Sequence, residues 1–475
     1  MKILSGLKYN TLFLGLLVIT CGFFILSFPS DDLYSSFSLY RSNYAVLLGS
    51  FIFCSVLLGT KLRDKNLFLF DPFLFVSVLF FCIFLIQPMI DILQNRVDFY
   101  GFTNPAYGCK KGTLLFVLAY VFFYIGSFFI KKPNTNKQLY QPFTPFKKSA
   151  AASFSFILWV VFTLLCVVFL IANGYSVRYI FTLGQFGEAH VDELFSRLGF
   201  LWKFSLSMIV SFMYYFQCGR SKLLKTLMFL TTLFILILNG GRALLFVFLA
   251  APVVLYYTKR AKNPPIQFVV IALSLFLVFA AGVQAARWGL RSGGNVEVET
   301  KWDMETIIYP MRSNFSIYKM YYLVVDAMPR QINYLWGQET ILYTAIMFVP
   351  RALWPDKPDT PIREIHRYVA GDLAVLNGEA SPGLTEFYMD FGWLGCILFG
   401  FVFGWLVVRL KNLYLYSSAD NYALVLYSVL YPLLFQVVIR GYIPSLFYSV
   451  LCIFLPYFIL KMVIPDTTRG TRNEI

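Results

Sequence analysis

The chain has 475 residues, of which 58% are hydrophobic and only 14% are charged, and its mean hydropathy is +0.66. About a quarter of the residues of a soluble domain are charged. This composition excludes an ordinary soluble protein and predicts an all-α polytopic membrane protein. The net charge is +15. Its distribution along the chain shows whether it reflects membrane topology or nucleic-acid binding.

Apolar runs that are long enough to cross a membrane recur along nearly the whole sequence. A transmembrane helix needs about 20 mostly apolar residues. The first run lacks a clear small-x-small cleavage site, which favours a retained helix over a signal peptide. We predict about twelve transmembrane helices, at residues 10–29, 43–60, 72–91, 112–130, 151–173, 198–217, 224–239, 241–257, 266–284, 391–408, 421–439 and 444–463.

The basic residues predict the orientation of these helices. With the N-terminus in the cytoplasm, the inward segments hold 21 of the 40 Lys and Arg residues and five of the 25 acidic residues. The positive surplus then lies on one side, as the positive-inside rule requires, so both termini are predicted to be cytoplasmic. The basic net charge is therefore explained by membrane topology, and nucleic acid is not expected as a partner. The inward segments, besides the N-terminus, are 61–71, 131–150, 218–225, 258–265, 409–420 and the tail from Lys461.

A long polar segment at residues 285–390 interrupts the apolar pattern, and the same alternation places it outside. We predict three regions: 1–284 with helices 1–9, 285–390 as a large extracytoplasmic loop with short amphipathic helices, and 391–475 with helices 10–12 and a cytoplasmic tail. The loop contains seven arginines. Because the planar guanidinium fork suits phosphate oxygens, we expect the chemistry to take place there.

Two stretches of the loop carry their own structural signals. Residues 303–325 have apolar side chains near helical spacing, which predicts a helix on or near the membrane surface. Residues 339–349 are apolar but too short to span, so they predict an interfacial or re-entrant piece.

A third stretch of the loop has a helix start signal. Thr360 and Pro361 form a good N-cap and first-turn pair. A helix beginning there would place Arg363, His366 and Arg367 on one face. His366 between two cations is a candidate general base. The alternative is an amphipathic helix whose cations rest on lipid phosphates.

Two further arginines are candidate phosphate ligands. Arg242 follows the glycines at 240 and 241 where one span ends and the next begins, and a charge at that depth is expensive unless it faces a cavity or partner. Arg351 lies in a proline-rich tract that would hold its guanidinium with little entropy left to lose. The alternatives are that Arg242 snorkels to lipid headgroups and that the Arg351 tract is a structural wedge.

Acidic residues near the return to the membrane are candidates for proton transfer. They are Glu379, Glu386 and Asp390, and such carboxylates deprotonate hydroxyls or ligate metals. Their spacing does not require a metal, and the sequence lacks a phosphate-cradling glycine loop, a zinc signature and a nucleophile elbow. We therefore predict neither a metal nor a cofactor.

Three short motifs together resemble the Wzy-type polymerases of O-antigen and capsule repeat units. They are the glycine–glycine turn before Arg242, the tract from Pro350 to Pro358, and the re-entry from Ser381 through Glu386 to Gly395. The resemblance covers most of the chain and implies a GT-C-like fold. The related ligases carry a His-x-x-Asn pattern, whereas position 369 after His366 is valine.

The resemblance implies a reaction between two undecaprenyl-diphosphate-linked glycans at the outer face of the bacterial inner membrane. A hydroxyl of the new repeat unit attacks the anomeric carbon of the growing chain, and undecaprenyl diphosphate leaves. Cationic groups would stabilise that leaving group. On this basis we assign the substrate to Arg242, Arg291, Arg351, Arg363, Arg367 and Arg440.

The base and the partners follow from the same resemblance. His366 or Glu386 is the expected base, lipids surround the protein, and a polysaccharide chain-length regulator is a candidate partner.

A lipid-linked oligosaccharide flippase is the alternative from another class, but such transporters carry internal repeats and ionisable groups within their spans. An O-antigen ligase is the alternative that shares the fold.

Overall fold

The structure is a computed structural model, and it describes most of the predicted apolar segments. The described residues are 33–62, 69–94, 106–129, 145–172, 199–238, 242–260, 262–265, 267–269, 271, 274, 315–347, 349, 354, 356–376, 380–416 and 421–464. Within these ranges the regular elements are helical and there is no strand.

In the described part of the chain, twelve helices are numbered in chain order. They are α1 Leu33–Leu62, α2 Pro72–Leu93, α3 Ala106–Gly126, α4 Pro145–Ala172, α5 Phe204–Cys218, α6 Lys222–Leu238, α7 Arg242–Lys259, α8 Tyr318–Ala327, α9 Pro361–Leu376, α10 Gly383–Tyr416, α11 Asn421–Arg440 and α12 Ile443–Val463. A π-helical turn, Cys82–Ile86, interrupts α2, and a 3-10 turn, Gly199–Lys203, precedes α5. A π-helical segment, Gln338–Tyr343, continues into one α-helical turn, Thr344–Ile346.

Seven helices in the described part are long and apolar enough to cross a membrane, namely α1, α2, α3, α4, α10, α11 and α12. This confirms a polytopic helical protein. Helices α5, α6 and α7 occupy the predicted spans at 198–217, 224–239 and 241–257. They are shorter than the seven helices that could cross a membrane. The predicted span 10–29 and most of 266–284 lie outside the described residues, so the count of twelve spans stays a prediction, as does the division into three regions.

The helices pack around two apolar cores. One core joins α1, α2, α3, α8, α9 and α10, the other joins α4 to α7 with α12, and α11 contributes to both. The closest packing is between α3 and α10, where a Cβ at Gly400 or Gly404 would collide with backbone carbonyl oxygens of α3. Lipid is as apolar as a side chain, so close van der Waals contact between helices is what favours their association.

Contacts between helix ends and the adjoining segments define one end of the bundle, which we call the basic end. Lys411 forms an ion pair with Asp71 at 2.6 Å, and the Leu69 amide donates to the Asn263 side chain at 2.9 Å. The Tyr422 hydroxyl donates to the carbonyl oxygen of Ile464 at 3.1 Å. These contacts bring together segments that the charge count predicts to share one face of the membrane. That this face is cytoplasmic stays a prediction.

The other end of the bundle, which we call the capped end, is held by contacts to helix termini. Lys111 of α3 donates to the carbonyl oxygens of Val325 and Met328, at 3.0 and 2.8 Å, where α8 ends. Tyr388 of α10 also donates to the Met328 carbonyl, at 2.9 Å. Cations are favourable at a helix C-terminus because the macrodipole is negative there, so Lys111 fixes α8 to α3.

Helix α8 lies inside the bundle, so the predicted surface helix is wrong for residues 318–325. Tyr318, Tyr321 and Tyr322 are at most 1% exposed. Their hydroxyls donate to Asp91 and to the Gly112 carbonyl and pair with the hydroxyl of Thr113. Helical periodicity identifies an apolar face without showing what covers it, and here α2 and α3 cover it. Residues 303–314 lie outside the described residues.

Candidate functional site

Three fully buried carboxylates of the capped end share one role: Glu339, Glu386 and Asp390 are each 0% exposed. Each accepts hydrogen bonds from backbone amides in the first turn of a helical segment that lies elsewhere in the sequence. The first amides of a helix have no intrahelical partner and carry the positive end of the macrodipole. Buried carboxylates at these positions are therefore stabilised without a cation.

Glu386 caps α12. It lies in the first part of α10, which is separated from the rest of that helix by a break at Gly392 (φ +59°). Its carboxylate accepts from the backbone amides of Tyr442 and Ile443, the latter at 2.8 Å. With both oxygens used in this way, the side chain holds the turn between α11 and α12.

Asp390 caps the π-helical segment. Its carboxylate accepts from the Thr340 amide at 2.8 Å, from the Thr340 hydroxyl, and from the Glu339 amide at 3.2 Å. The backbone beside it is also paired, because the Leu335 amide donates to the Met389 carbonyl and the Trp336 amide to the Asp390 carbonyl, each at 2.9 Å. The segment at 339–349 is therefore fastened to the start of α10.

Glu339 caps α9 and was not singled out in the sequence. One carboxylate oxygen accepts from the Ile362 amide at 2.9 Å, and the other is buried with no hydrogen-bond partner in the described part of the chain. Burial raises the pKa of Glu339 to about 7, with a further increase from the charge of Asp390, while the Ile362 amide opposes the rise. In the sequence, Glu339 is marked only by its position as a carboxylate at the start of an otherwise apolar run.

Helix α9 carries His366 on its buried face. The helix begins at Pro361, as the sequence predicts. His366 is 7% exposed, and its Nε2 lies 3.2 Å from the Ser381 hydroxyl oxygen. Arg363 is half-buried and Arg367 is exposed. The predicted common face is therefore divided, with the imidazole directed inward and the Arg367 guanidinium outward.

The turn after α11 lies between His366 and the carboxylate of Glu386, which caps α12. Gly441 has φ +49°, and a Cβ there would lie 2.7 Å from the Ser381 carbonyl oxygen and 2.5 Å from a Glu386 carboxylate oxygen. Only glycine fits a backbone that approaches so closely and has positive φ. Arg440, which precedes Gly441, is exposed. The turn thus brings Arg440 to the group formed by His366, Ser381 and Glu386.

Helix α7 brings a second arginine to the same end. It packs against α11 with Phe246 facing Phe435 at 5.0 Å between ring centroids, and Val254 packs in one cluster with Tyr427. These two contacts define an antiparallel register. Extending it by about one helical turn places the first residue of α7, Arg242, level with the last turn of α11. The structure describes the Arg242 backbone only.

Two predicted ligands of the substrate lie in segments that the structure does not describe. Arg291 and Arg351 lie outside the described residues. In the same proline-rich tract as Arg351, Lys357 is 8% exposed and donates to the carbonyl oxygens of Met347 and Val349, each at 3.2 Å. Lys357 was not among the residues predicted for the site. It fixes the tract to the end of the short helical segment.

The buried acids raise the question of a metal. Within the described ranges, no group of three or more His, Cys, Asp or Glu side chains is placed so that it could hold a metal ion. Each of the three carboxylates instead accepts at least one backbone amide. What the capped end offers chemically is a histidine–serine pair with arginines nearby.

Comparison with known proteins identifies one family. Residues 12–466 match the family model described as O-antigen polysaccharide polymerase Wzy, which is nearly the whole chain. No curated protein and no solved structure matches the chain.

Proposed function

The chain belongs to the O-antigen polysaccharide polymerase Wzy family, and we propose that it joins undecaprenyl-diphosphate-linked repeat units into O-antigen or capsular polysaccharide. It is a multi-pass membrane protein and a glycosyltransferase-type polymerase. The observation that carries the proposal is the meeting of α7 and α11 at the capped end. Arg242 begins one helix and Arg440 ends the other. The Gly441 backbone after Arg440 approaches Ser381, whose hydroxyl oxygen lies 3.2 Å from His366 Nε2.

The leaving group explains why arginines are needed. As the acceptor hydroxyl oxygen bonds to the anomeric carbon, the bond from that carbon to the diphosphate oxygen breaks and the electron pair stays on the diphosphate. Two guanidinium groups at the level of Arg242 and Arg440 stabilise this charge more in the transition state than in the bound donor. The energy is already stored in the donor, so no nucleotide is consumed.

The proton of the attacking hydroxyl is assigned to His366. The Ser381 hydroxyl holds the imidazole in place at 3.2 Å. Glu386 is the less suitable base, because it is fully buried and accepts two backbone amides. We assign Glu386 to positioning the turn that carries Arg440. Arg291, Arg351, Arg363 and Arg367 remain proposed ligands of the lipid-linked glycans.

The outer face of the inner membrane is the proposed place of reaction. Among the described residues, the lysines and arginines of the inward segments lie at the basic end, and the positive-inside rule favours that end in the cytoplasm. The capped end then faces the compartment into which lipid-linked glycans are flipped. Both termini lie on the cytoplasmic side in this arrangement.

Complementation of a polymerase deletion strain tests the proposal. We expect Arg242→Ala and Arg440→Ala each to lower polymer by about 100-fold or more, as does removal of one transition-state donor in other enzymes. Arg409→Ala is the matched control, because Arg409 is exposed and stacks on Trp405 at the basic end. Polymer length is read on gels of surface polysaccharide, and membrane abundance is measured by immunoblot.

The deletion strain itself separates the alternatives. Loss of a polymerase leaves single repeat units on lipid A, whereas loss of a flippase or a ligase leaves none. Full-length chains in the deletion strain would overturn the proposed function. Normal polymer from both arginine variants at normal abundance would remove Arg242 and Arg440 from the site.

A further inference from the structure

A cavity of about 530 Å³ opens at the basic end, away from the capped end. It lies between the first turns of α4 and α6, with the end of α5 behind it. Lys148, Ser149, Arg220 and Ser221 form one side of its lining. The volume falls in the range of roughly 300–1,000 Å³ that is typical of small-molecule sites.

The charged side chains that line this cavity are both cations. Lys148 and Arg220 are exposed, and neither forms an ion pair within the described residues. The helices that surround the cavity contain no Asp or Glu, and these are α4, α5, α6 and the nearby α12. The Ser221 hydroxyl accepts the Leu224 amide at 3.2 Å and so caps α6. The cations and the positive end of α6 together favour an anion.

The other side of the cavity is apolar and continues into the surface that faces lipid. Phe156, Ile157 and Leu224 line it. From Ile157 onward α4 exposes a stripe of large aliphatic side chains at helical spacing, and α6 exposes a similar stripe. The exposed residues are Ile157, Val161, Leu164 and Val168 on α4 and Leu223, Leu227, Leu230 and Phe234 on α6. A ligand that fits both sides has an anionic head and a hydrocarbon tail.

We propose that this cavity binds the phosphodiester headgroup of an anionic phospholipid, with an acyl chain along the exposed stripes of α4 and α6. Basic pockets between transmembrane helices suit such headgroups. A free phosphate would use the cations but leave the apolar side of the cavity without a partner. The inference does not depend on the polymerase reaction, because the cavity and the capped end are formed by different residues.

Lipid-dependent thermal stability of the purified full chain in neutral detergent tests the site. The probes are phosphatidylglycerol and phosphatidylethanolamine with the same acyl chains, and inorganic phosphate. The variant is Lys148→Ala/Arg220→Ala, and the matched control is Lys262→Ala/Arg409→Ala, which removes two exposed cations outside the cavity. Phosphatidylglycerol is expected to raise the melting temperature of wild type and control, and about 30-fold more of it to be needed by the variant.

Four results would overturn the proposal. They are an unchanged response in the alanine pair, equal stabilisation by phosphatidylethanolamine, equal stabilisation by inorganic phosphate, and an equal loss of response in the control pair. The last result would mean that the whole basic surface, and not this cavity, attracts the lipid. If the alanine pair does not fold, Lys148→Gln/Arg220→Gln is measured in the same way, and an unchanged response in that pair also refutes the site.

Discussion

The two ends of the molecule use charge in opposite ways. At the capped end, Glu339, Glu386 and Asp390 are buried and accept hydrogen bonds from the first amides of helices. At the basic end, Lys148 and Arg220 are exposed and have no ion pair in the described part of the chain. Buried charge is tolerated only where hydrogen bonds compensate it. The three buried carboxylates of the capped end therefore fix backbone, whereas Lys148 and Arg220 at the basic end are available to lipid and solvent.

The largest expected effect that would test this contrast is the loss of the α12 cap. Glu386→Ala leaves the half-buried amides of Tyr442 and Ile443 without an acceptor. We expect a loss of about 3 kcal/mol in the free energy of unfolding. Glu386→Gln keeps one acceptor oxygen and is expected to lose about half as much. Thermal unfolding in detergent measures both. An alanine variant as stable as wild type would show that Glu386 does not fix the turn.

The pH dependence of stability tests the second carboxylate. Because burial raises the pKa of Glu339 to about 7 from 4.5, the folded protein binds more protons than the unfolded chain between these values. Stability then falls as the pH rises through this window and levels off above it. We expect a loss of about 2 kcal/mol between about pH 5.5 and 7. Glu339→Gln keeps the acceptor for Ile362 and is expected to remove this dependence. A slope unchanged in the variant would assign it to another group.

The smallest expected effects come from replacing one lysine by methionine at each end of the bundle. Lys111→Met leaves the Val325 carbonyl oxygen without this donor and the Met328 carbonyl oxygen with only the Tyr388 hydroxyl. We expect a loss of about 2 kcal/mol. Lys411→Met removes the ion pair with Asp71, in which the lysine side chain is 40% exposed, and we expect less than about 1 kcal/mol. Melting temperatures under identical conditions give the difference. Equal losses would contradict the contrast between the ends.

Local patterns in the sequence predicted the helices and the grouping of their ends. The start of α9 at Pro361 is confirmed, and the Thr360 hydroxyl accepts the Arg363 amide at 3.4 Å. Charge counting grouped the segments that meet at the basic end, because a short basic loop carries its own signal. These predictions depend on residues within one or two helical turns of each other.

The caps of the capped end could not be predicted in this way. Asp390 accepts from Thr340, fifty positions away, and Glu386 accepts from Ile443, which is 57 positions away. Such pairs have no periodicity, and an isolated carboxylate near a membrane return fits a catalytic base as well as a cap. The burial of α8 was missed for a similar reason, since its partners lie on α2 and α3.

The attachment of α8 to α3 also has a consequence for biogenesis. Lys111 donates to carbonyl oxygens 214 and 217 residues later in the chain, and Glu386 receives its amides only when Ile443 has been made. During synthesis α3 enters the membrane long before its partner exists. We therefore expect the capped end to be the last part of the protein to assemble, and a chain that stops before α12 to insert most of its helices yet never complete the site.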